Sequence, residues 1–235
     1  RPGPTAPIPG LVLHREGMWL ACLEVSDDEG RDSCEAACVK VTAVGAPGLR
    51  VSLSWSVPGD PDEQGSALAA GTDLDLHLVH AFAEGNDFDG DGAPDGYFDF
   101  PFDCCCFNSE PEWGVNDPSV PDNPIMERDD TDGAGPELIS LLEGEEGLRY
   151  KIGVHYWQEP KLSDHPAGFG SAVATVRIWM DSVRIFSSQP VMLREHDMWD
   201  VCTFTWPPAG CEPVEGDGPD GVKVTPGYRA PAIPR

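Results

Sequence analysis

Apolar and polar residues alternate with a period of two through much of the chain, the pattern of strands with one buried face. Leu49, Val51, Leu53 and Trp55 interleave with Arg50, Ser52 and Ser54. Leu74, Leu76 and Leu78 interleave with Asp73, Asp75 and His77, which places these three polar residues together on an outer face. Tyr150, Ile152, Val154 and Tyr156 mark another strand, and 137–142, 172–180, 183–187 and 198–206 read the same way. Upstream, 18–26 and 35–44 flank the turn 27–30 as a hairpin, and 11–14 is a short candidate strand after a Pro-rich start. No helical period appears. Seven or eight strands at this spacing predict an all-β chain, an antiparallel β-sandwich of jelly-roll or immunoglobulin-like type with long loops ordered by metal and disulfides. Three regions are expected: a partial hairpin region (1–46), the sandwich (47–210), and a Pro/Gly-rich acidic tail (211–235). The tail reads as a linker, or as a strand donated to a neighbouring subunit through 221–225.

Charge narrows the partners. Among 235 residues, 41 acidic face 15 basic, a formal net charge of -26. That excess repels nucleic-acid phosphates and anionic membrane surfaces, so neither nucleic acid nor direct membrane insertion is expected. No apolar run is long enough to span a bilayer. The 26 Gly and 24 Pro residues predict many turns. The start reads as linker with no signal peptide, which suggests a processed product or a piece of a larger precursor.

The acid excess is densest in Asn-Asp-Phe-Asp-Gly-Asp-Gly-Ala-Pro-Asp-Gly-Tyr-Phe-Asp, residues 86–99. Asp87, Asp89, Asp91 and Asp95 fall at positions 1, 3, 5 and 9 of a calcium loop, Gly92 at the sharp turn, and Ala93 where a carbonyl ligand is needed. Position 12 is Phe98, and Asp99 follows one residue late. No amphipathic helix flanks the loop, so a free-standing Ca2+ loop is expected rather than a helix-loop-helix hand. The alternative is a solvated acidic turn. A second cation site is expected from Asp129, Asp130 and Asp132 with Glu137, or with Asp73 and Asp75 from the strand; the alternative there is an acidic rim with Asp turn caps.

Eight cysteines, Cys22, Cys34, Cys38, Cys104, Cys105, Cys106, Cys202 and Cys211, are an even number in an acidic, loop-rich chain. They suggest disulfides and an oxidising compartment, hence a secreted or cell-surface protein. Cys22 lies near Cys34 and Cys38 across the hairpin, Cys202 and Cys211 bracket a turn, and the run 104–106 must bond elsewhere because neighbouring cysteines bridge only with strain.

Two resemblances follow from these residues. Gly-Met-Trp-Leu-Ala-Cys-Leu-Glu-Val-Ser-Asp-Asp-Glu-Gly, residues 17–30, resembles the last hairpin of PKD-type, immunoglobulin-like surface repeats. The ordered motifs Leu-Arg-Val-Ser-Leu-Ser-Trp, Thr-Asp-Leu-Asp-Leu-His-Leu-Val, Gly-Pro-Glu-Leu-Ile-Ser-Leu and Tyr-Lys-Ile-Gly-Val-His-Tyr-Trp resemble the pre-peptidase C-terminal sandwich domains appended to subtilases. They are closer still to a domain of large surface proteins of myxobacteria-like bacteria, with the segments 89–92, 129–137 and 196–199 recurring together. The resemblance spans about residues 48–208, and the triple cysteine departs from it. It implies a β-sandwich, calcium, and an extracellular, non-catalytic role.

Catalytic signatures are weak. No Gly-x-Ser-x-Gly occurs, nothing singles out a pair of acids for glycoside hydrolysis, and His77 and His80 point to opposite strand faces. The expected function is therefore a structural or adhesive module that contacts other domains or copies of a surface protein. The rivals are a carbohydrate-binding module stacking polysaccharide on Trp113 and Trp157, an accessory domain of a secreted protease, and a filament subunit.

Overall fold

The protein's computed structural model describes residues 17–27, 29–43, 46–60, 71–117, 119–131, 133–161 and 166–231. The candidate strand at 11–14 and Asp132 lie outside these. A two-stranded antiparallel hairpin comes first, β1 (Gly17–Leu23) and β2 (Ala37–Ala43), joined by the Cys22–Cys38 disulfide across facing positions. Among the described residues it pairs with neither of the larger sheets.

The next twelve strands build two antiparallel sheets. The first contains β3 (Leu49–Ser56), β6 (Pro124–Arg128), β7 (Glu137–Leu141), β9 (Ala172–Met180) and β10 (Val183–Ser187), in the order β10-β9-β3-β7-β6, and β11 (Val191–Leu193) also pairs with β9. The second contains β4 (Asp73–Val79), β5 (Asp103–Cys104), β8 (Arg149–Gln158), β12 (Met198–Thr205) and β13 (Glu212–Pro213), in the order β13-β12-β8-β4-β5. β14 (Lys223–Thr225) also pairs with β12. Among the described residues the helical content is one 3-10 turn, Pro219–Gly221.

The sheets stack face to face as a β-sandwich because the period-two residues bury one face of each. Leu49, Val51 and Leu53 of β3, Leu74, Leu76 and Leu78 of β4, Ile152 and Val154 of β8, and Val176 and Ile178 of β9 are fully buried in one continuous core. Each such side chain contributes about 1.5–3 kcal/mol by leaving water.

The tail departs from the linker or donated strand expected of it. Its β13 and β14 both pair with β12 of the same chain, so its backbone groups are satisfied within the sheet. The irregular stretch 97–136 also contributes strands, β5 and β6, too short to show a period.

The outer face of β4 is the larger correction. Asp73, Asp75 and His77 do not face solvent, because β4 is buried along its whole length. A second, smaller cluster of Val79, Tyr97, Phe98, Met198 and Tyr228 covers that face. Its Tyr97 and Phe98 come from the loop after β4 and its Tyr228 from the segment after β14, while Val79 and Met198 belong to β4 and β12. Gly153 of β8 makes the covering possible: a Cβ there would sit 2.4 Å from the Tyr97 ring. The Tyr97 hydroxyl donates to Asp200 Oδ1 at 2.8 Å, which satisfies the phenol where it is buried.

Candidate metal centres

β5 covers only Leu78 and Val79 of β4. Among the described residues the earlier half of β4 therefore has no strand on that side, and the first sheet supplies the acceptor instead. Glu137, the first residue of β7, reaches across and takes the Leu76 amide on Oε2 at 2.6 Å, and its Oε1 accepts the Asp130 amide at 3.4 Å. Asp73 and Asp75 converge on the same place, so that one carboxylate oxygen from each of the three acids lies within 4.8 Å of the others. Asp73 is 4% exposed, and Asp75 and Glu137 are 0% exposed.

Burial first, then the neighbouring Asp75 and Asp129, pushes the Glu137 carboxyl well above the usual carboxylate range. No cation of the chain is recorded within ion-pair distance of Glu137 among the described residues. Arg128, at the end of β6, is bound to Asp130 at 2.8 Å. His155 sits opposite Asp75 in the β4–β8 ladder, its Nδ1 4.0 Å from Asp75 Oδ2, beyond hydrogen-bond length. Burial depresses the His155 pKa despite the pull of Asp75, so the ring is neutral at pH 7. Ligands about 2.3–2.6 Å from a Ca2+ ion lie at most about 5 Å apart, so a single ion fits among these oxygens.

The loop after β4 gathers a second group. Asp87, Asp89 and Asp95 bring donor oxygens within 4.8 Å of one another, with Asp87 exposed and the other two half-buried. Here the acids also cap the loop itself. Asp87 accepts the Gly90 and Gly92 amides at 2.7 and 2.9 Å, and Asp95 Oδ2 accepts the Phe88 amide at 2.6 Å and the Tyr228 hydroxyl at 3.1 Å. Lys223 Nζ stands 3.7 Å from Asp89, and Lys151 Nζ donates to the Asp95 carbonyl at 2.5 Å. Burial is the main cause that raises the Asp95 pKa.

Two expected ligands stay apart from this group. Asp91 Oδ1 accepts the Ala93 amide at 2.8 Å, and Asp99 Oδ2 accepts the Glu84 and Gly85 amides at 2.8 and 3.2 Å, which makes Asp99 a turn cap at the loop's far end. Of the second expected site, Asp129 is exposed and acts on Glu137 only electrostatically and by a side-chain hydrogen bond, while Asp130 is committed to Arg128.

His77, Asp103 and Cys105 form a third buried group. Asp103 Oδ2 accepts from His77 Nδ1 at 2.8 Å and from the Phe98 amide at 2.7 Å, with Cys105 Sγ at 3.8 Å. That oxygen is satisfied by protein donors, so the group fixes Phe98 over the sheet.

The cysteines divide. Cys22–Cys38 and Cys202–Cys211 are disulfides, whereas Cys34, Cys104, Cys105 and Cys106 are not disulfide-bonded, a correction to the expectation that all eight bridge. Cys104 and Cys105 are sealed in the core between the sheets, where burial pushes their thiols well up in pKa. The two tryptophans expected to stack on sugars also divide. Trp113 is buried and its Nε1 donates to the Pro101 carbonyl at 2.9 Å, so its ring is part of the core. Trp157 is half-buried at the end of β8.

His155, Gly153 and Tyr228 were not singled out from the sequence as parts of a site. The signal for the first two was their shared phase on β8, opposite to Ile152, Val154 and Tyr156. Tyr228 gave none. No protein-family model, curated protein or solved structure matches the chain, so the chemistry of these clusters is what bears on function.

Proposed function

We propose that the chain is a non-catalytic extracellular module, a calcium-stabilised β-sandwich that serves as a structural or adhesive unit of a bacterial surface protein or extracellular assembly. The observation that carries this reading is the sealed group Asp73, Asp75 and Glu137. Three carboxylates packed together out of water repel one another and each loses hydration, a cost of several kcal/mol per ion unless a cation or protons offset it. Divalent calcium offsets it and ties β4 of one sheet to β7 of the other. The two disulfides fit an oxidising compartment. No helix among the described residues is long and apolar enough to cross a membrane. The non-catalytic part rests on access: Asp73, Asp75, His77, Glu137 and His155 are all at most 4% exposed, so a substrate has no path to them.

The test is calorimetric. Saturating Ca2+ at a thousand times its dissociation constant stabilises by about 4 kcal/mol. For a chain of this size that raises the melting temperature by roughly 8–16 °C over the EDTA-treated protein. Identical thermograms with and without EDTA would refute the calcium reading.

A further inference from the structure

The end of β8, the turn before β12 and the segment after β14 border an open cleft of about 780 Å³. That volume lies within the range of about 300–1,000 Å³ usual for small-molecule sites. Its walls are held by backbone hydrogen bonds: the His196 amide donates to the Tyr156 carbonyl at 2.8 Å, and the Tyr228 amide donates to the His196 carbonyl at 2.6 Å. The Glu159 amide donates to Glu195 Oε1 at 3.1 Å, and Lys161 Nζ lies 3.5 Å from Glu195 Oε2. Three chain segments are thus fixed against each other before any ligand arrives, which lowers the ordering cost of binding.

The lining combines ring surface with hydrogen-bonding groups. Trp157 offers a half-buried indole, backed by His155 at 5.8 Å and Phe98 at 6.2 Å between ring centroids. Tyr228 packs against His155 at 5.8 Å and is anchored at its hydroxyl by Asp95. His155, 0% exposed, lies behind this ring wall with its Nδ1 4.0 Å from Asp75 Oδ2. The charges in the lining balance: Glu159 and Glu195 against Lys161 and Arg229. On a chain of net charge -26, a locally neutral cleft selects against both polyanions and strong cations.

We infer that this cleft is a binding site for a neutral saccharide, with the sugar face on Trp157 and its hydroxyls taken by Gln158 and the glutamates. Such a site gives the module a ligand of its own, independent of the ion that holds its sheets. The fit follows from chemistry: a pyranose has an apolar C–H face and a rim of hydroxyls, and the cleft offers an indole face and paired donors and acceptors.

The experiment is isothermal titration of the whole chain, in calcium buffer, with cello-, manno-, xylo- and chitohexaose, and with a heparin hexasaccharide as the polyanionic contrast. At least one neutral hexaose binds saturably with a Kd of about 10 µM to 1 mM. Trp157→Ala weakens it at least tenfold, and Gln158→Ala, at an exposed position, weakens it several-fold with an unchanged melting curve. Phe82→Ala, exposed and outside this cleft, leaves it unchanged. The inference is overturned if no neutral hexaose binds up to about 5 mM, if heparin binds more tightly than all of them, or if both Trp157→Ala and Gln158→Ala bind like the parent. Because calcium is present throughout, these outcomes are separate from those of the calorimetric test.

Discussion

Two groups of acids, alike in composition, differ in what surrounds them. Asp87, Asp89 and Asp95 lie on a loop whose own amides, with Lys223, satisfy much of their charge. Asp73, Asp75 and Glu137 are sealed where β4 of one sheet meets β7 of the other, beside a neutral imidazole. The loop matches a calcium motif in its spacing, yet water screens much of its repulsion. The buried group has no contiguous motif, yet its repulsion is barely screened. Burial, more than spacing, decides where a divalent ion changes the stability of the fold.

Substitution of the buried group gives the largest effect and the sharpest contrast. Glu137→Gln keeps the shape and removes the charge. In EDTA its stability is equal to or higher than the parent's, because a repulsive charge is gone. In calcium it is lower by about 2–4 kcal/mol, because the ion's stabilisation is lost. Chemical denaturation in the two buffers reads both signs, and a loss of equal size in each would break the comparison. Gly153→Ala comes next. Its Cβ collides with the Tyr97 ring and lifts the cover over β4, at about 1–3 kcal/mol, with raised exchange of the β4 and β8 amides as a second readout. Asp87→Asn, on the exposed loop, changes stability by no more than about 0.5 kcal/mol. A larger loss there would move the weight of the account to the loop.

The same contrast governs the thiols, with no change in stability expected. Iodoacetamide at pH 8 modifies exposed Cys34 in the native protein, while Cys104 and Cys105 react only after denaturation, as mass spectrometry of the adducts reports.

Much of the sandwich was legible in the sequence because period two is a local signal, and β3, β4, β8, β9 and β12 carry it plainly. The acids were legible as well, but their setting was not. Asp73 and Asp75 share a face with His77, as the alternation requires, and that face is buried because Tyr97 and Phe98 pack on His77 while Glu137 closes over the two acids. Nothing local in Asp-Leu-Asp-Leu-His encodes the notch at Gly153 or the reach of Glu137 from the opposite sheet. The tail was misread for a related reason. β14 has three half-buried residues, and what makes it a strand is its pairing with β12. Cysteine number suggested four bridges, whereas core packing had already claimed Cys104 and Cys105.

Calcium titrated calorimetrically into the metal-stripped parent and into Glu137→Gln bears most directly on the sealed acids. A tight site present in the parent and missing from the variant, with any weaker loop binding retained, is the outcome required of a divalent ion between β4 and β7. Equal tight binding by both proteins, or none by the parent, would contradict it.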